Sequence, residues 1–117
     1  SVLYLIWKDP WMTVSRDTYI ARMLALIGWR TLPAECSVRY PQIALSPALV
    51  GEVDLVLFPS EPFPFGAAHI DAFRRSFPAD AGKAIAVDGE MLSWYGSRAI
   101  RGLDYLGKLS RLAPSAG

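Results

Sequence analysis

Four short stretches of this 117-residue sequence gather aromatic rings beside charge: Trp7, Trp11 and Met12; Arg39 and Tyr40; Ser60, Glu61, Phe63 and Phe65; and Glu90, Met91, Trp94 and Tyr95. Rings offer stacking area at low entropic cost, while Arg and Glu orient a partner through hydrogen bonds to peripheral carboxylates or amides. The combination suits a large, flat, partly polar ligand. Apolar rings in loops must be covered by a ligand, by another domain or by one another, and for any single ring the last arrangement is open. An edge devoted only to plugging itself would not also collect Arg39, Glu61 and Glu90. The candidate ligand-facing set is therefore Trp11, Met12, Arg39, Tyr40, Glu61, Phe63, Glu90, Met91 and Trp94.

Enzyme chemistry finds little support. The nine glycines form neither a G-x-G-x-x-G nor a G-x-x-x-x-G-K-[ST] arrangement, so no dinucleotide fingerprint or phosphate loop is present. His69 is the one histidine and makes no triad; Cys36 has no histidine near it in sequence and reads as a small buried or loop thiol. Glu61 and Glu90 form an acid/base pair only if the fold brings them together, and nothing in their spacing requires that. Gly96-Ser97-Arg98 opens a helix, where Arg98 either holds an anion or pairs with Glu90 or Asp88. No catalytic or metal-ligating residue is assigned, and no intrinsic cofactor is expected.

The elements that must position these clusters alternate. Val2 to Trp7 is an apolar run stopped by Lys8-Asp9-Pro10, the pattern of a strand buried on both faces. Ile20, Met23, Leu24 and Ile27 then recur at helical spacing, with Asp17 or Thr18 as N-cap and Gly28 as the stop. Trp29 to Leu32 is a short second strand before Pro33. Ser46-Pro47 starts a short helix through about Gly51, and Asp54 to Pro59 is a third strand. Ile70, Phe73 and Phe77 share one helix face opposite Asp71, Arg74 and Arg75. Lys83 to Asp88 is a fourth strand, Gly89 to Gly96 a loop, and Ile100, Leu103, Leu106 and Leu109 the stripe of a closing helix capped by Ser97. The expected fold is an α/β three-layer sandwich: a four-stranded, mostly parallel sheet with helices on both faces and right-handed crossovers. Residues 1–112 form one domain, with 113–117 as a tail. In such a sheet ligands bind beyond the carboxyl ends of the strands, where all four clusters fall.

Composition agrees with one core and removes other classes. A hydrophobic share of 52% is enough to offset ordering entropy, which argues against disorder. Twelve basic against eleven acidic residues leave no basic stripe for phosphate contacts, so nucleic acid is not an expected partner. One cysteine excludes an internal disulfide and a multi-cysteine metal site. No apolar run is long enough to span a bilayer, and the chain starts directly in strand-like sequence with no leader, as a mature chain or, more in keeping with that start, a piece of one would.

Tyr4 to Thr13, Arg39-Tyr40-Pro41, Ser60 to Phe65 and Asp88 to Arg98, taken in order, resemble the C-terminal lobe of the helical-backbone periplasmic binding proteins, the solute receptors of ABC importers for cobalamin, haem and ferric siderophores. The resemblance implies two α/β lobes joined by a stiff helix, ligand held between them, and an extracytoplasmic location. It also implies a missing N-terminal lobe and an ABC permease as partners. It sets Trp11, Met12, Tyr40, Phe63, Glu90, Met91 and Trp94 toward the ligand. One position departs: where the family carries a docking glutamate, this sequence has Ser46-Pro47, and Glu52 lies at the other end of that helix.

Receptors for bare metal ions use several histidines and carboxylates, so the expected ligand is a metal chelate such as a corrinoid, haem or ferric siderophore. An uncovered ring face also implies self-association of the lobe. The alternative is a freestanding flavodoxin-like or receiver-like domain with a self-packed aromatic edge, for which Asp9 and Glu61 would be a thin acidic cluster.

Overall fold

A computed structural model describes residues 1–33, 38–89, 107, 108, 110 and 111. Three parallel strands, β1 (Val2–Tyr4), β2 (Leu55–Pro59) and β3 (Ala84–Val87), form one sheet in the order β1-β2-β3, in register at Leu3 with Val56 and at Leu57 with Ile85. Helices α1 (Tyr19–Ala25), α2 (Pro47–Glu52) and α3 (Ala67–Ser76) connect them, with a 3-10 segment at Pro78–Lys83 leading into β3.

Strand alternation divides the core into two layers. Val2, Tyr4, Leu55, Leu57 and Val87 face Ala21, Met23 and Leu24 of α1, closed by Trp29. Leu3, Val56, Phe58 and Ala84 face Val50 and Val53 at α2, Phe73 of α3 and Phe65. The expected three-layer arrangement is therefore present. Local chemistry sets each helix. The Thr18 hydroxyl, rather than Asp17, accepts the first-turn N–H of Ala21 at 3.2 Å. Gly28, at φ 79°, lets the Trp29 N–H return to the Leu24 carbonyl and close the end of α1. Ser46 caps α2 through the Leu49 N–H, with Pro47 in the first turn. On α3, Phe73 is buried and Ile70 and Phe77 half-buried, while Asp71, Arg74 and Arg75 are exposed.

The described sheet has three strands where the sequence pattern predicts four. Trp29 to Leu32 reaches the free edge of β1 but makes one parallel bridge, between Thr31 and Val2, through Val2 N–H to the Arg30 carbonyl and Leu32 N–H to the Val2 carbonyl. The ladder stops there because the Tyr4 carbonyl on that edge accepts the buried Thr13 hydroxyl at 2.7 Å. β1 is also shorter than the apolar run. The chain turns back at Asp9, which takes φ 57°, so Ile6 and Trp7 bond to Met12 rather than to a neighbouring strand. The predicted loop from Gly89 to Gly96 lies, after its first residue, outside the described residues, as does most of the closing helix; backbone at 107, 108, 110 and 111 is helical.

Candidate functional site

The α1 crossover lies on one face of the sheet, and the α2 and α3 crossovers lie on the other. With Thr31 on one side of β1 and β2 on the other, the winding reverses at β1, the switch point where open α/β sheets bind ligands. A cavity of about 740 Å³ opens there, lined by Ile6 at the end of β1, Asp17, Thr18, Tyr19, Ile20 and Arg22 of α1 and its cap, Arg39 and Tyr40, and Glu61 and Pro62 beyond β2.

Backbone bonds fix the two walls that carry predicted residues. After its turn at Trp7–Met12 the chain runs antiparallel to residues 39–43: Ser15 N–H donates to the Arg39 carbonyl at 2.7 Å, Thr13 N–H to Pro41 and Ile43 N–H to Trp11. Arg39 and Tyr40 are thus displayed from a pinned backbone, with Tyr40 48% exposed. Opposite them, Ser60 N–H donates to the Val87 carbonyl and the Ser60 hydroxyl accepts the Gly89 N–H at 3.1 Å, tying the turn that carries Glu61 to the exit of β3.

The charges on this wall balance: Asp17, Arg22, Arg39 and Glu61. Asp17 and Arg22 pair with each other at 2.9 Å. The side chains of Arg39 and Glu61 have no ion pair or hydrogen bond among the described residues. This cation and anion, free among the described residues, can together with the exposed Tyr40 orient a ligand that carries both acceptors and donors. The same described residues contain no group of three His, Cys, Asp or Glu side chains placed to hold a metal ion.

Of the predicted set, Arg39, Tyr40 and Glu61 meet on the cavity wall. Trp11, Met12 and Phe63 do not line it. Trp11 stacks on Phe65 with ring centroids 6.2 Å apart, and Phe63 contacts Phe65 at 4.6 Å, Trp7 at 5.1 Å and His69 at 5.4 Å, so these rings engage one another. Met12 is half-buried against the α1 layer. Glu90, Met91 and Trp94, and with them the Glu61–Glu90 pairing and the Arg98 anion site, lie outside the described residues. Sequence reasoning passes over the α1 wall. Asp17 and Thr18 read as caps and Ile20 as core, although the first turn of a helix that follows a strand sits at the carboxyl edge by construction, and Tyr19 there is the available signal.

Neither a scan of family models nor a search of curated proteins finds a match to this chain. Solved structures do match. The chain is similar to the periplasmic vitamin B12-binding protein BtuF of Vibrio cholerae, with a TM-score of 0.74 and 17% identity over 98% of this chain and 45% of that one. It is also similar to the periplasmic haem-binding protein RhuT of Roseiflexus sp. RS-1 in its apo form, with a TM-score of 0.68 and 20% identity over 94% of this chain and 44% of that one. The chain thus has the fold of a part of such binding proteins and spans less than half their length. The resemblance carried by the four sequence segments is matched at the level of fold.

Proposed function

We propose that this chain is the C-terminal lobe of an extracytoplasmic solute receptor that serves an ABC importer, and that its ligand is a metal chelate of the corrinoid, haem or ferric-siderophore type. The observation that carries the reading is the open cavity at the switch point, walled by Arg39 and Glu61, unpaired among the described residues, with Tyr40, in a fold shared with two periplasmic binding proteins. Among the described residues the wall presents orienting groups and no histidine, cysteine or serine, which supports binding over reaction. A cavity of 740 Å³ is ample for a small molecule but only one side of what a macrocycle needs, which fits a ligand clasped between two lobes. The reading puts the protein outside the cytoplasm and gives it a permease partner, while Ser46-Pro47 stands where the family carries its docking glutamate.

The test is direct. A longer chain carrying both lobes is titrated with cobinamide, cobalamin, haemin and a ferric siderophore while tryptophan fluorescence is followed. Saturable quenching by one of them is expected. The lobe alone should bind that chelate at least about 100-fold more weakly, since half the contact surface is gone while the association entropy cost is undiminished. Silence from all four chelates would refute the assignment.

A further inference from the structure

A second concavity lies apart from the cavity at the switch point. It is a groove of about 290 Å³ on the α2–α3 side of the sheet, lined by Lys8, Trp11, Leu45, His69, Ala72, Phe73, Ser76 and Phe77. Its floor is apolar: Phe73 is buried, and Trp11, Leu45 and Phe77 are half-buried against the same core layer. Its polar groups are all able to donate. Lys8 has no ion pair and no hydrogen bond among the described residues, and neither the Trp11 indole N–H nor the Ser76 hydroxyl has a partner there. His69 accepts the Gly66 N–H at Nδ1, 3.0 Å away, so the proton of its neutral ring is on Nε2, a further free donor. No carboxylate lines the groove among the described residues.

We propose that this groove is a separate ligand site for a small amphiphilic monocarboxylate, an aryl or short alkyl acid. The aromatic floor takes the apolar body and the carboxylate takes hydrogen bonds from the donors of the lining, with Lys8 as counter-ion. Charge decides the class. The switch-point cavity carries both signs, whereas this groove carries only positive charge and uncommitted donors, so an anion gains charge-assisted hydrogen bonds that a neutral amide does not. Size sets the limit: the groove is at the lower end of the roughly 300–1,000 Å³ usual for small-molecule sites. The site does not depend on the transport reading, and a chelate of macrocycle size does not fit it.

The experiment uses the 117-residue chain labelled with nitrogen-15 and titrated with 4-phenylbutyrate, with 4-phenylbutyramide as the neutral control. Saturable shifts are expected at the Trp11 indole and at the Ala72 and Ser76 amides, with binding of the amide at least about tenfold weaker. Lys8→Gln, whose parent ammonium holds nothing in the described fold, should weaken the acid about tenfold, and Ala72→Phe should fill the groove and abolish binding. Equal affinity for acid and amide, shifts centred on Arg39 and Tyr40, or no saturation up to the solubility of the acid would overturn the proposal. An unchanged affinity in Lys8→Gln would do the same.

Discussion

Two glycines in this chain should respond to the same substitution with opposite signs. A Cβ on Gly89 would lie 2.5 Å from the Glu61 carbonyl oxygen, 3.0 Å from the Glu61 nitrogen and 3.1 Å from its Cγ. The first two obstacles are backbone, so no side-chain rotation relieves them, and either the Glu61 turn or the exit of β3 must move. Moving them also strains the Gly89 N–H to Ser60 hydroxyl bond that ties the two exits. Gly89→Ala should therefore cost about 2 kcal/mol, the middle of the overpacking range. Gly51, in α2, has nothing within 4 Å of its Cβ position and no left-handed backbone, so Gly51→Ala should add roughly 0.5–1 kcal/mol by removing unfolded-state entropy. Urea unfolding followed by circular dichroism reads both. With a slope of about 1–3 kcal/mol per molar, the midpoint falls by roughly 1 M for Gly89→Ala and rises by a few tenths for Gly51→Ala. Equal stability of the Gly89→Ala chain and the parent would show that the two exits are not interlocked as described.

Three smaller outcomes follow from named contacts. Thr18→Ala removes the side-chain acceptor at the start of α1 and should cost about 1 kcal/mol in the same urea assay, with Thr18→Ser retaining most of the stability. In the free 117-residue chain, whose first residue carries an ammonium, that ammonium is hydrogen-bonded to Asp54 at 2.7 Å and holds the Asp54 carboxyl below its ordinary value. That pair adds a small, solvent-screened stabilisation above the ordinary carboxylate range and loses it as pH falls through the lowered value; acetylating Ser1 should return Asp54 to the ordinary range in a carbon-13 NMR titration. Trp7 at 42% and Tyr40 at 48% exposure leave apolar rings uncovered, so sedimentation of the 117-residue chain should show concentration-dependent association that Trp7→Ser reduces.

The layered α/β pattern was legible because it rests on local signals: continuous apolar runs at Val2 to Ile6 and Leu55 to Phe58, helical spacing at Ile20 to Leu24, and caps at Thr18 and Ser46. Strand count was not legible in the same way. Whether Trp29 to Leu32 extends the sheet depends on which group occupies the Tyr4 carbonyl, and that is decided by Thr13, distant from Leu32 in sequence but brought to the same edge of β1 by the fold. The candidate site divides along the same line. Arg39, Tyr40 and Glu61 could be placed at the carboxyl edge from strand ends alone. The direction each ring takes was beyond reach, because Trp11 stacking on Phe65 and Phe63 meeting His69 are products of the turn at Asp9 and of where α3 begins. The α1 wall of the cavity was hidden by reading its residues for helix capping and core burial only.

The measurement that bears most directly on the central claim is the dissociation constant of the two-lobed protein for cobinamide, cobalamin, haemin and the ferric siderophore, compared between the parent and a variant carrying Arg39→Gln, Tyr40→Ala and Glu61→Gln together. Each side chain is exposed and bonded to nothing in the described fold, so the variant should fold normally. The account predicts that one chelate binds the parent and that its affinity falls by at least about 100-fold in the variant, which loses two charge-assisted contacts and one stacking contact. Binding of that chelate with the same affinity by both proteins would contradict the claim that this cavity forms half of the receptor's mouth.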